Sequence, residues 1–474
     1  MRNLFSLLIV FTTYALSGCA TNPVSGKQDF VMMSEQQEID LGCASAIEVR
    51  KQYKIYDNPS LQNYVNRVGQ KIAAHSHRPN IHYTFTVLDS PEINAFALPG
   101  GYVYITRGIL AYLNSEAEMA AVLGHEIGHV TARHGVRQQS AAQATSLGIT
   151  IASIFVPELN TQAGNDLSNL LGGALLSGYG RDQELEADRL GADYLARTDY
   201  DPQAMIRVVA VLKNQELFDA EIAKQEGREP RRYHGTFASH PDNDTRLQEV
   251  VGEASHLTVA NPVENKSEFL RQTDGLVFND SVEEGVVRNN KFMHPGLGIA
   301  LTFPPEWSVK NSPTQLIALS PANDAAMQLK ITKPSGSAYE YASRTAGNGA
   351  TVEALEIDNL HAAIGSSGNL VLGVIYYNRE AFLIQCNAKS AEVLAAQRET
   401  MKNTIRSFHV LSEAERKQIK PLTVTLTSAR KGDTYARLAQ HSPLGKNAES
   451  FLRLVNAQYP QGEPVAGQTL KVIE

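Results

Sequence analysis

From Ser34 the segment SEQQEIDLGCASAIEVRKQ sets apolar residues at helical intervals behind an N-cap, with Ser34 and Gln37 at capping-box spacing. SLQNYVNRVGQKIAA, Ser60 to Ala74, repeats the helical period. HYTFTVLDS then alternates as a strand does, and NAFALPGGYVYITRGIL predicts two short strands about a turn at Pro99-Gly100-Gly101. Ser115, with Glu118 three residues on, opens a helix through MAAVLGHEIGHVTARHG that should end near Gly135. RDQELEADRLGADYLAR, Arg181 to Arg197, predicts a second strong helix, and DPQAMIRVVAVLKNQELF a third, with Pro202 at its first turn. Between them, Gln138 to Gly180 is rich in Ala, Ser and Gly and weakly polar. Gln138, Gln139, Ser140, Gln143, Thr145 and Ser146 argue against a membrane span there, and the expectation is a helical lid over an active site.

Past residue 253 the pattern turns polar and acidic, and residues 256–290 read as a linker between a domain at 34–255 and an α+β domain at 291–412. Strand patterns in IALTFPPEWSV, AAMQLKITK and LVLGVIYYN precede a helix at SAEVLAAQRETMKNTIRSF. The FPPEW start resembles the PsbP/Mog1-like α/β sandwich. Residues 413–474 hold Gly432-Asp433-Thr434, Leu438-Ala439, Asn456 and Gly467-Gln468 at spacings that resemble a LysM module, a small βααβ fold. That resemblance implies glycan binding; a packing module that keeps only the fold is the competing expectation. The fold class is thus multidomain: a mainly α-helical domain with a small β-sheet, an α+β module and a LysM-like βααβ module.

Composition narrows the partners. The chain has 474 residues, 43% of them hydrophobic and 20% charged, and a net charge of −7. That acidity argues against a nucleic-acid partner, which usually needs a basic face. The N-terminus, MRNLFSLLIVFTTYALSGCA, has a basic start and a short charge-free apolar run, the layout of a secretory signal over residues 1–18. It ends in LSGC, which resembles a bacterial lipobox. The resemblance implies cleavage before Cys19, lipidation of Cys19, a tether over residues 19–33 and, with Ala20 next, anchoring to the outer membrane from the periplasm. Cys43 and Cys386 remain, and an oxidising compartment permits a bridge between them.

The chemistry lies in HEIGH. His125 and His129 are one helical turn apart, so both imidazoles can reach one Zn²⁺. Glu126 stands beside the metal, in the place of a general base acting on water. Two half-buried histidines on an ordinary helix are the competing account. Gly124 and Gly128 leave the mid-helix without side chains, which calls for a close packing partner. A third ligand is needed. Gly135 and Ala132 rule out the metzincin pattern, and His134, about 140° around a straight helix from His129, points elsewhere, as a surface group or one supporting a ligand. ELEAD supplies the better candidates. Glu184 can bind the metal, and Asp188, four residues on, can accept from a ligand histidine and fix its tautomer. A solvated acidic face is the alternative.

HEIGHVTARH followed by ELEAD resembles the gluzincin family of zinc metallopeptidases of the CAAX prenyl protease, HtpX and BepA type, over about residues 24 to 250. NPVSGKQDFVMMSEQQEIDLG and NAFALPGGYVYITRGIL resemble its soluble bacterial lipoprotein branch. The resemblance implies His125, His129 and Glu184 as ligands of one Zn²⁺ per chain and Glu126 as the base. It further implies His240, in SHPDNDTR, as a switch ligand at the fourth zinc position. Arg246 in the same stretch is a candidate oxyanion donor, against a surface ion pair. Gly101, Tyr102, Val103 and Tyr104 are expected on an exposed edge strand that pairs with extended substrate. The expected function is a periplasmic, lipid-anchored zinc endopeptidase acting on misfolded or stalled envelope proteins, with peptidoglycan a further candidate partner. A latched, non-enzymatic assembly factor and a peptidoglycan-associated binding lipoprotein are the alternatives.

Overall fold

The computed structural model describes residues 19–141, 179–226, 256–288, 290–312, 315–368 and 370–474, with residues 249, 252 and 254. The signal expected at 1–18, most of the expected lid, His240 and Arg246 lie outside them. Among the described residues no helix is long and apolar enough to cross a membrane. They fall into two compact units: residues up to 218 join 256–276 and 423–474 in one, and 277–422 make the body of the other.

The first unit is built on helix α4 (Glu116–Thr131), all of whose residues are buried. Ser115 caps it, its hydroxyl accepting from Glu118 N–H at 3.2 Å, while Glu118 Oε2 accepts from Asn114 N–H at 2.7 Å. Two acidic residues in the first turn suit the positive end of the helix dipole. Ala, Val, Leu and Ile on every face fit a helix packed all round. The helix stops short of the expected Gly135. Arg133 takes a left-handed φ of 55°, and a separate helical stretch runs over 134–141.

Around α4 stand α1 (Glu35–Gln52), capped by the Ser34–Gln37 box, α2 (Pro59–Ala73), and a three-stranded sheet. The sheet holds β1 (Thr84–Leu88), β2 (Ala95–Leu98) and β3 (Tyr102–Thr106). β3 lies in the middle, parallel to β1 and antiparallel to β2. Short α3 (Arg107–Tyr112) leads from β3 towards Ser115. Helix α5 (Arg181–Arg197), which α6 (Ala204–Glu226) follows, packs on α4 at the α4 glycines. A Cβ on Gly124 would meet Gly191 Cα at 3.3 Å, and one on Gly128 would meet Ala187 Cα at 3.2 Å. This is the close partner that the two mid-helix glycines call for. Arg78 and Arg133 both reach buried Glu38 on α1, at 2.7 and 2.9 Å, which ties α1 to the end of α4.

Residues 256–290 are not a free linker. They hold helix α7 (Lys266–Thr273), whose Phe269 and Leu270 are buried, and Ala117 N–H donates to Glu264 O at 3.2 Å. The C-terminal segment runs β4 (Leu422–Ser428), α8 (Tyr435–Ala439), α9 (Ala448–Val455) and β5 (Thr469–Ile473), and the two strands pair antiparallel. It is part of the first unit. Phe451 packs on Tyr112 and Phe218, and the fully buried Lys471 donates to the carbonyls of Ala111 and Leu113 at 2.7 and 2.8 Å.

The second unit carries a seven-stranded antiparallel sheet from Ser308–Ser312 to Glu380–Ala388 and a four-stranded one that includes Ile299–Thr302 and His409–Val410. Helix Ala391–Arg406 covers the larger sheet with Leu394, Met401 and Ile405, in a core shared with Trp307 and Phe382. Cys386 is buried there, which pushes its thiol up to about 12; Cys43 is exposed, and both thiols are free rather than bridged.

Candidate metal centre

Helical period alone brings His125 and His129 to one side of α4, and their Nε2 atoms face each other at 2.9 Å. The glycine contact with α5 sets Glu184 against them. Its carboxylate oxygens lie 3.5 Å from His125 Nε2 and 3.7 Å from His129 Nε2. Tetrahedral ligand atoms about 2.0–2.1 Å from zinc stand roughly 3.3 Å apart, so the set is close to metal-binding spacing. His125, Glu126, His129 and Glu184 are all buried, at 1%, 1%, 2% and 0% exposure.

A neutral imidazole binds a metal through a nitrogen without a proton, so the other nitrogen must carry it. His125 Nδ1 lies 2.8 Å from Asp188 Oδ1, an acceptor only, which places the proton on Nδ1 and frees Nε2 for the metal. His129 Nδ1 lies 2.8 Å from Nδ1 of His134. His134 Nε2 in turn lies 3.0 Å from Glu186 Oε2. The donor set, its convergence and the protons imposed on both rings fit a divalent metal of the zinc type.

The electrostatics follow from burial. His134 is fully covered, and that burial pushes its imidazole below the usual histidine range against the upward pull of Glu186. Glu186 is held below the usual carboxylate range chiefly by its hydrogen bond with His134. Tyr179 stacks on His129, with ring centres 4.1 Å apart and planes 18° from parallel. Burial, and then the charge of Glu126, push the Tyr179 phenol up.

The expected residues divide into three groups. His125, Glu126, His129, Glu184 and Asp188 come together in one buried site. Gly101, Tyr102, Val103 and Tyr104 lie at or on β3, which is paired on both sides and therefore cannot add a strand. The edges are β1 and β2. β1 is met on its outer side by the bridge of Ile55 to Leu88 and by Tyr56 N–H donating to Val87 O. β2, laid outside β3 by the turn at Pro99–Gly101, is the edge with no strand beyond it among the described residues. His240 and Arg246 fall outside the described residues. Glu186 and Tyr179 are not among the expected site residues, and His134, read as a surface group or one supporting a ligand, lies against His129. The straight-helix projection turns His134 away from His129 and leaves both of its readings open, and Glu186 looks like one more acidic position in ELEAD. Tyr179, at the end of a low-complexity stretch, gave no signal.

Residues 59–254 match the model of Peptidase family M48. The beta-barrel assembly-enhancing protease of Escherichia coli (strain K12) is 30% identical over 244 residues, 50% of this chain and 48% of that protein. The mitochondrial metalloendopeptidase OMA1 of Schizosaccharomyces pombe is 32% identical over 185 residues, 38% of this chain and 54% of that protein. The chain spans about half the length of the curated relatives it matches. Among solved structures, cyanobacterial PsbP (CyanoP) from Synechocystis is similar to 28% of this chain and 98% of its own, at 14% identity and a TM-score of 0.22. The stretch matched by that family model, residues 59–254, is the one that holds His125, His129 and Glu184 in their metal-binding geometry.

Proposed function

We propose that the chain is a zinc-dependent endopeptidase of the bacterial periplasm, lipid-anchored through Cys19 to the outer membrane, that degrades misfolded or stalled envelope proteins. The observation that carries the reading is the convergence of His125, His129 and Glu184 beside Glu126 in one buried site. The names of the E. coli and Yersinia pestis relatives support an envelope role. His125, His129 and Glu184 would hold a Zn²⁺, which when bound would supply Lewis-acid polarisation of the scissile carbonyl and a water of lowered pKa, about 7. Glu126 accepts the proton of the attacking water and delivers it to the leaving amine. Asp188 holds His125 in its ligand tautomer. An extended substrate pairs with the open edge of β2, whose backbone reads no sequence and so favours unfolded segments. Arg246 is assigned to the oxyanion and His240 to a switch at the fourth ligand position.

The experiment is zinc analysis of the full chain in detergent, with turnover of an unfolded protein followed by gel. One zinc per chain is expected, with cleavage abolished in Glu126→Gln. Cleavage by Glu126→Gln at the wild-type rate refutes the mechanism. Zinc without turnover, even in His240→Ala, favours the latched assembly factor.

A further inference from the structure

We propose that His134 and Glu186 are a positioning pair for the metal, fixing the ring and tautomer of His129 through a two-step proton chain. The inference rests on the zinc reading above and deepens it. For His129 to present Nε2 to a metal, its proton must sit on Nδ1. That Nδ1 faces His134 Nδ1 at 2.8 Å, so His134 accepts there and carries its own proton on Nε2. Glu186 Oε2, 3.0 Å from His134 Nε2, accepts it. One arrangement of protons satisfies all three groups, and it is the one that metal binding requires.

The backbone is shaped for this contact. On a straight helix His134 would point away from His129. Arg133 instead adopts φ 55°, a conformation L residues rarely take, and turns the chain so that the His134 ring faces back. Arg133 is held there by Glu38 Oε2 at 2.9 Å and the Met33 carbonyl at 3.2 Å. The outer carboxylate is fixed as well, since Arg137 lies 3.4 Å from Glu186 Oε2. The two histidines are therefore supported unequally. At Nδ1, His125 meets a carboxylate, Asp188, directly at 2.8 Å, whereas His129 reaches Glu186 through a second imidazole. Helix α5 supplies Glu184, Glu186 and Asp188, so one helix presents a ligand and both outer carboxylates.

The test compares His134→Phe, which keeps the ring shape without an acceptor, with His134→Asn, whose Oδ1 accepts near the place of Nδ1. Zinc affinity is measured on the full chain by chelator competition, and the visible spectrum of the Co²⁺-loaded protein reports ligand geometry. His134→Phe should weaken zinc about 10- to 100-fold and alter the cobalt spectrum. His134→Asn should stay near wild type in both. Glu186→Ala, at a partly exposed position, should give a smaller loss in the same direction. Equal zinc affinity in His134→Phe and wild type overturns the inference, as does His134→Asn binding as weakly as His134→Phe. If His134→Phe fails to fold, an unchanged affinity and spectrum in Glu186→Ala overturns it. A wild-type chain that binds no zinc overturns the zinc reading itself, and this inference with it.

Discussion

Gly128→Ala tests whether the spacing of α4 and α5 sets the metal centre. A Cβ on Gly128 would stand 3.1 Å from Ala187 O, 3.2 Å from Ala187 Cα and 3.3 Å from Leu190 Cβ. Two of these are backbone atoms of α5 and the third is fixed to it. No rotamer relieves the contact, and α5 must give by a few tenths of an ångström. Alanine gains about 1 kcal/mol of helix propensity over glycine, and overpacking costs about 1–3 kcal/mol. The net expectation is a loss of roughly 0–2 kcal/mol. The neighbours calibrate the scale. Gly124→Ala meets Gly191 at 3.3 Å, so it should be close to neutral. Gly191→Ala meets the flexible Met205 Cε at 2.4 Å but also His125 N at 3.0 Å, so it should cost most. Because α5 carries Glu184 and α4 carries the histidines, the same movement widens the ligand set. Thermal unfolding in chelator and in zinc measures both effects. The stabilisation by zinc should shrink in the order Gly124→Ala, Gly128→Ala, Gly191→Ala. A Gly128→Ala protein as stable as wild type in chelator, with full zinc stabilisation, would refute the reasoning.

Two further substitutions probe buried charge. Glu38, 1% exposed, accepts from Arg78 at 2.7 and 3.3 Å and from Arg133 at 2.9 Å, so Glu38→Gln strips two covered guanidinium groups of their main counter-charge. A loss of about 3–5 kcal/mol in urea unfolding is expected, and a loss below about 1 kcal/mol would show that the triad matters little. Burial pushes the Lys471 ammonium down to about 7 from 10.5, while Glu118 pulls it upward. Between those values the unfolded chain binds the extra proton, so this group makes stability rise with pH, by at most about 1.4 kcal/mol per unit. Lys471→Met should lose that rise between pH 7 and 9; parallel stability curves for the two proteins would contradict it.

What the sequence made legible was local, and what it concealed depends on residues far away along the chain. His125, Glu126 and His129 follow from one helical period, and Glu184 and Asp188 from another; alone the first reads equally as two half-buried histidines and the second as a solvated acidic face, so each group is recognised through the other. The order of the small sheet is different: apolar runs in NAFAL and YVYIT look alike, and only the pairing of β3 with β1 makes β3 central and leaves β2 at the edge. A helix continued straight through Arg133 points His134 away from His129 and cannot choose between its surface and supporting readings. The bend there is held by Glu38 and Met33, 95 and 100 residues earlier, which no local pattern contains. The polar stretch at 256–290 hid α7 because two buried residues, Phe269 and Leu270, suffice to seat so short a helix. Lys471 is the sharpest case. A lysine in a terminal strand reads as a solvent-facing residue of a separate module. Here its ammonium ends on Ala111 O and Leu113 O, just before the Ser115 cap of the helix that carries His125. Residues 423–474 are therefore joined to the first unit at the root of the helix that carries His125 and His129, and form one body with the candidate metal centre.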